Sequence, residues 1–299
     1  MKGGDVVAAA RRSVGIVGVG NMGGGMAGNL LARGWALQVC DVDASRVREC
    51  EALGAVACAS PAAAAANLAA LIVCVVDAAQ SADVLFGEGG AAAAMQPGST
   101  VVLCPTMSPQ DVESLSARLL TMGIDTVDAP MSGGPARARD GSMSLMVACT
   151  DSVFIRQQAL LGALSSKLFR ISQRPGDGAR TKLVNNLLAG INLSGAAEAL
   201  AMAQAMGLDL TKTLDVIEQS SGQSWIGSDR MRRALAGDYA PRAHVTLLEK
   251  DTRLAVEAAA AAGFIGPLGL HAARLFARAH EAGYAGEDDA ALFKLLGRA

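Results

Sequence analysis

Gly18-Val19-Gly20-Asn21-Met22-Gly23 has the G-x-G-x-x-G spacing of a turn that cradles phosphate. The first glycine permits a tight turn, and the second removes a Cβ where a pyrophosphate would approach. The third lets the following helix pack closely on the preceding strand. A helix opening here offers unpaired N–H groups, Asn21 and Met22 among its first residues, and a partial positive charge. In a chain with 34 glycines the spacing alone arises by chance, so its context matters. The apolar run 13–18 precedes it, 22–33 has helical character, and Asp41 closes the next apolar run, 35–40. A carboxylate there accepts hydrogen bonds from ribose hydroxyls and repels a 2′-phosphate, which favours NAD over NADP. Arg46 and Arg48 nearby soften that preference.

Three further groups could act on a substrate. Lys182 and Asn186 stand four apart, on one face of a helix. An amine in an apolar cleft is desolvated, which lowers its pKa toward neutrality and suits it to taking and returning a hydroxyl proton. Asn186 would hydrogen-bond a hydroxyl or carboxylate, whereas Asn185 points about 100° away. Taken alone, without the flanking glycines, the pair reads sooner as a surface lysine beside an unrelated asparagine. Ser132, Gly133 and Gly134 read as a loop whose backbone N–H groups suit a carboxylate, or as an ordinary turn. Thr106 follows the strand ending at Cys104, at the carboxyl edge of a sheet, where a nicotinamide ring would lie.

These residues need a scaffold, and the chain alternates strands with helices through its first half. Strands are expected at 13–18, 35–40, 56–58, 71–76, 101–104, 126–127, 143–149 and 168–171. Helices are expected at 22–33, 44–53, from 60 onward, and at 109–122. Short, nearly all-apolar strands call for a parallel sheet covered on both faces. Beyond 173–176 the pattern changes to one long helix, 178–206, then helices at 211–220, 228–235, 245–262 and 269–282. The fold class is therefore α/β: a Rossmann-type doubly wound sheet, a long connecting helix and an all-α C-terminal part. The boundaries expected are a flexible 1–12, a dinucleotide-binding domain at 13–174 and a helical substrate and oligomerisation domain at 175–299.

Composition narrows the function. Aromatics are 3% of the chain and hydrophobic residues 51%, so the core must be built from Ala, Val, Leu, Ile and Met. The net charge of −2, without a basic block, argues against nucleic acid as a partner. The six cysteines form no C-x-x-C pair and none stands near a histidine at ligand spacing, so no metal is expected. They read as small core residues of a reducing, cytoplasmic compartment. The uncharged stretch 52–76 contains Gly54, Pro61 and Asn67 and divides into helix and strand, so no membrane partner is expected. The apolar run 6–10 is too short for a signal-peptide core.

Four ordered segments resemble the β-hydroxyacid dehydrogenase family, which includes 3-hydroxyisobutyrate and tartronate semialdehyde enzymes. They are 15–23 with 26–30 behind it; Asp128-Ala129-Pro130-Met131-Ser132-Gly133-Gly134, running on to Ala138 and Gly141; Gly176-Asp177-Gly178 with Lys182 and Asn186; and Lys250-Asp251. The match spans nearly the whole chain. The segments 222–225, 237–239 and 282–290 resemble the branch that acts on a four-carbon sugar acid. The resemblance implies NAD-dependent oxidation of a small hydroxy acid, with Lys182 as acid–base group and Ser132 to Gly134 in the substrate signature. It further implies a cofactor-contacting hydroxyl at Thr106, a cofactor-proximal Lys250, and a homodimer or homotetramer. The chain departs from the family at Met131, in the basic run 135–139 and at Thr252-Arg253. Two alternatives are an NAD-binding regulatory protein without chemistry and an NADPH-dependent imine or semialdehyde reductase. Lys182 and Asn186 argue against the first, Lys182 and Asp41 against the second.

Overall fold

The computed structural model describes residues 12–297, so most of the 1–12 segment expected to be flexible lies outside the described residues. The chain divides into two units, the first ending at Lys182 and the second beginning at Leu183. The boundary expected from sequence, 174/175, falls earlier, in the loop that leads into the long helix.

The first unit holds strands β1 (Ser13–Val17), β2 (Ala36–Cys40), β3 (Val56–Ala57), β4 (Ala70–Val73), β5 (Thr100–Leu103), β6 (Asp125–Asp128), β7 (Met131–Ser132), β8 (Ser144–Ala148) and β9 (Lys167–Ser172). They form one sheet in the order β3-β2-β1-β4-β5-β6-β8-β7, with β9 beside β8. The pairs from β3 through β6 are all parallel. The sheet stops being parallel at β8, which runs antiparallel to β6, pairing only Asp128 with Ala148, and antiparallel to β7. An apolar run reads the same in either direction, so strand sense at β8 is invisible to hydrophobic pattern.

Helices α1 (Asn21–Ala32), α2 (Ala44–Ala52), α3 (Pro61–Ala65), α4 (Ala78–Phe86), α5 (Pro109–Thr121), α6 (Gly134–Asp140) and α7 (Asp151–Leu164) complete this unit. Successive strand residues point to opposite faces. Ile16, Ile72 and Val102 accordingly join Met26, Leu30 and Leu161 in one core layer. Val17, Leu71, Val73, Val101 and Leu103 join Met107 and Leu119 in the other. Helices α2 to α5 are each started by a side-chain oxygen, from Asp43, Ser60, Asp77 and Ser108, that accepts a first-turn N–H. Helix α1 differs: its N-cap is Gly20, no side chain caps it, and its first turn holds no acid.

Helix α8 (Asp177–Ala205) starts in the first unit and continues into the second, which adds α9 (Leu210–Glu218), α10 (Trp225–Leu235), α11 (Val245–Ala261), α12 (Pro267–Ala279) and α13 (Leu292–Leu296). Leu193, Leu200, Met231, Val245 and the fully buried Phe276 form its core. Each such side chain contributes roughly 1.5–3 kcal/mol on burial. A Cβ on Gly190 would lie 2.6 Å from Thr252 Cγ2, so this glycine sets how closely α8 approaches α11. The buried Asp288 carboxylate takes the Arg233 guanidinium at 2.9 Å and the Arg242 N–H at 2.8 Å, which ties the C-terminal segment to α10. Pairing is what makes a buried charge tolerable. Among the described residues no helix is long and apolar enough to cross a membrane.

Candidate active site

The glycine turn separates two kinds of requirement. Gly18 has φ +91°, and a Cβ there would meet the Cys74 carbonyl oxygen at 2.4 Å. A Cβ on Gly23 would meet the Gly18 oxygen at 1.9 Å. The chain itself therefore demands these two glycines. Gly20 is different, with φ −63° and no protein atom within 4 Å of a Cβ. Nothing in the chain asks for glycine there, but a pyrophosphate approaching the backbone would. The uncapped first turn of α1 supplies the N–H groups such a ligand needs. The turn thus fits a dinucleotide.

Asp41 stands just past β2, where the sequence placed it, and it also does something the sequence did not show. Its Oδ2 accepts the Val19 N–H at 2.6 Å, and Oδ1 accepts the Asp43 N–H at 2.9 Å. Each carboxylate oxygen keeps a lone pair for a ribose hydroxyl. Arg46 reaches Asn21 Oδ1 at 3.5 Å and Glu49 at 3.3 Å. Burial, and then the neighbouring Asp41, push the Cys74 thiol up to about 12. It is a packing residue and no nucleophile.

Thr106 is half-buried beyond the end of β5, on the same sheet edge as the glycine turn. Ser132 to Gly134 form a strand-to-helix junction where a loop was expected. Ser132 pairs with Ser144 in β7–β8, and Gly133 (φ +132°) and Gly134 (φ +75°) turn the chain into α6. The left-handed backbone explains both glycines. A residue outside the expected set braces this junction. A Cβ on Gly25 would lie 3.0 Å from Ala138 Cβ and 3.2 Å from the Pro135 oxygen, so α1 and α6 touch at that glycine.

Lys182 lies on α8, 8% exposed. The turn before it is anchored by Asp128, at the end of β6, whose Oδ2 accepts the N–H groups of Gly176 at 2.8 Å and Ala179 at 3.1 Å. Desolvation pushes the Asp128 carboxyl up to about 6, against the lowering pull of the Ala179, Gly176 and Gly178 amides. Arg180 adds a link to Glu113 at 2.7 Å and to Asp177 at 3.0 Å.

In the second unit Asn186 is buried and Asn185 exposed, as their spacing requires. Asn186 Nδ2 donates to Asp251 Oδ2 at 2.6 Å, and its Oδ1 accepts from Asn185 Nδ2 at 3.0 Å. The Lys250 ammonium meets Asp251 Oδ1 at 2.8 Å. Asp251 therefore joins two expected site residues, and the sequence had named it only as part of a dipeptide. Its burial beside two donors could not be read from spacing. Trp225 opens α10 with its ring largely exposed. Among the described residues no cluster of histidine, cysteine, aspartate or glutamate is arranged to hold a metal ion.

A doubly wound sheet with a fitted dinucleotide turn and a buried lysine on the helix that follows defines a nicotinamide-dependent oxidoreductase. Comparison with known proteins agrees. Residues 13–172 match the family model described as the NAD-binding domain of 6-phosphogluconate dehydrogenase. Residues 176–296 match the one described as NAD-binding of NADP-dependent 3-hydroxyisobutyrate dehydrogenase. An L-threonate dehydrogenase of Cupriavidus necator is 38% identical over 95% of this chain and 96% of its own length. One from Escherichia coli is 37% identical over 95% and 94%. A solved 3-hydroxyisobutyrate dehydrogenase from Salmonella typhimurium superposes with a TM-score of 0.89 at 38% identity, covering 95% of this chain and 99% of that one. The chain belongs to the β-hydroxyacid dehydrogenase family, binds NAD(P) and acts on a CH–OH group.

Proposed function

We propose that the chain oxidises L-threonate to 2-oxo-tetronate with NAD. Its likeness to L-threonate dehydrogenases over 95% of the chain carries this reading. When bound, NAD supplies the hydride acceptor. Gly18, Gly20, Asn21, Met22 and Gly23 hold its pyrophosphate and Asp41 its ribose, while Thr106 and Lys250 contact it further along. Lys182 takes the hydroxyl proton on its neutral amine during oxidation and returns it during reduction. The Ser132, Gly133 and Gly134 backbone binds the substrate carboxylate. Asn186, with one amide hydrogen still available, orients a substrate hydroxyl.

Residues 13–174 are assigned the dinucleotide and 175–299 the substrate and self-association. Val184, Leu188, Met202 and Met206 fall on one stripe of α8 and are each more than half exposed, which supports a homodimer or homotetramer. A cytoplasmic location fits the free thiols at Cys40, Cys50, Cys104 and Cys149, all buried.

A panel of L-threonate, D-erythronate, 3-hydroxyisobutyrate, D-glycerate and 4-hydroxybutyrate with NAD tests the reading. The highest kcat/KM is expected for L-threonate, and negligible turnover of it sinks the assignment. The second reading, 3-hydroxyisobutyrate oxidation, is favoured by the close superposition on the Salmonella enzyme, and the same panel decides between them.

A further inference from the structure

We propose that Asp128 is a positioning residue for Lys182, its buried carboxylate clamping the first turn of α8 and so fixing where that amine stands. This rests on the acid–base reading of Lys182.

Asp128 is 1% exposed, and the N–H groups of Gly176, Gly178 and Ala179 converge on it. The approach is close enough to dictate sequence. A Cβ on Gly178 would lie 2.9 Å from Asp128 Cγ and 2.7 Å from the Met146 oxygen. Ala179 precedes Lys182 by three residues, less than one helical turn. A rotation of the clamped turn therefore carries the amine with it. Other ties on this turn are a hydrogen bond from the Ser172 hydroxyl to Asp177 at 2.7 Å and part-exposed ion pairs from Arg174 and Arg180 to Asp177 and from Arg180 to Glu113, the ion pairs being a weak class of restraint.

A cap alone does not call for a carboxylate here. Ser60 and Ser108 start helices in this same chain with neutral hydroxyls. At Asp128 backbone amides hold a buried carboxylate, a charge that is expensive to bury. A charge kept at that cost, one turn ahead of a reactive amine, points to the amine as its beneficiary. The strong amide–carboxylate bonds hold the turn more stiffly than a hydroxyl would.

The test uses the full chain at pH 7.5 with L-threonate, or with whichever panel acid turns over fastest. Asp128→Asn and Asp128→Ala are compared with wild type and with Lys182→Ala. Asp128→Asn is expected to lower kcat at least ~10-fold. KM and NAD affinity should stay within about 3-fold and the melting temperature within about 4 °C of wild type. Hydrogen exchange at Gly176, Gly178 and Ala179 should quicken. Asp128→Ala should lose more activity, the asparagine oxygen giving partial rescue. Wild-type kcat in Asp128→Asn, beside an inactive Lys182→Ala, overturns the proposal. So does a fall in activity that only tracks the fraction unfolded. An active Lys182→Ala overturns the acid–base reading, and with it this inference.

Discussion

The Asp41 carboxylate holds the Val19 N–H at 2.6 Å, so the acid suited to a ribose also braces the turn that meets a pyrophosphate. Cofactor choice and turn geometry thus share one side chain. Asp41→Ala should weaken NAD binding more than NADP binding, because it removes both the ribose acceptor and the repulsion of a 2′-phosphate. The ratio of NAD to NADP affinity is expected to fall at least ~10-fold, about 1.4 kcal/mol. Fluorescence titration with both cofactors checks this, and an unchanged ratio contradicts it.

Lys182→Ala should cut kcat by roughly 10²–10⁴-fold while the dissociation constant for NAD holds. Single-turnover kinetics beside equilibrium titration separates the two effects.

Asp251 sits between Asn186 and Lys250, accepting from both. Asp251→Asn turns one acceptor oxygen into a donor facing a donor, and removes the negative charge that the half-buried Lys250 ammonium meets at 2.8 Å. A loss of kcat/KM of about 10–100-fold is expected, comparable to other changes that disturb the orientation of a site residue. Steady-state kinetics on the variant gives the answer, and wild-type values would remove Asp251 from the site.

Gly25 joins the cofactor helix to the short helix behind Ser132. Gly25→Val pushes on Ala138 and Pro135 and should raise the substrate KM while leaving NAD affinity alone. Overpacking of this kind costs about 1–3 kcal/mol of stability. A KM that does not move, in a folded variant, argues that the junction is not part of the substrate site.

Asp128 also predicts a pH dependence. Burial pushes its carboxyl up to about 6 from 3.8 in the unfolded chain. The folded state therefore binds the extra proton between those values, and this group's contribution to stability falls as pH rises from 4 to 6. The change is about 3 kcal/mol. The titratable neighbours of Asp128 include Asp177 on α8, Cys104 beyond β5 and Cys149 beyond β8. Of these three Asp177 is the one ionised in that window; against desolvation, hydrogen bonds from Arg174 and Ser172 and the charges of Arg174 and Arg180 hold its carboxyl low. Asp128→Asn should thus gain stability relative to wild type from pH 4.5 to 7.5 in urea titrations. A flat difference contradicts the burial argument.

The fold was legible where pattern and punctuation coincide. Strands β1, β2, β4 and β5 are apolar runs ended by glycine, acid or loop residues, and α8 is a proline-free stretch closed by Gly207. Helix α4 went unseen although Asp77 and Gln80 stand at capping-box spacing; Gln80 Oε1 accepts the Val76 N–H at 3.1 Å. Helix α6 was hidden behind Gly133-Gly134-Pro135, which reads as a turn. Among site residues, Gly18, Gly23 and Asp41 could be named because their roles are local to a strand–turn–helix unit. The contacts of Asp128 with Gly176 and of Asp251 with Asn186 span 48 and 65 residues. Spacing along a chain carries no trace of such meetings.

The boundary between units falls inside α8, after Lys182, and that bears on how members of this family can be recombined. A crossover in the loop at 173–176, where the composition changes, would hand the lysine to one parent and leave Asp128 with the other. The chimera would then mix an acid–base group with a foreign anchor. Joining at 182/183 keeps Lys182, Gly178 and Asp128 from a single parent, at the price of a seam within a continuous helix. Libraries spliced at the second point should yield more active members than those spliced at the first.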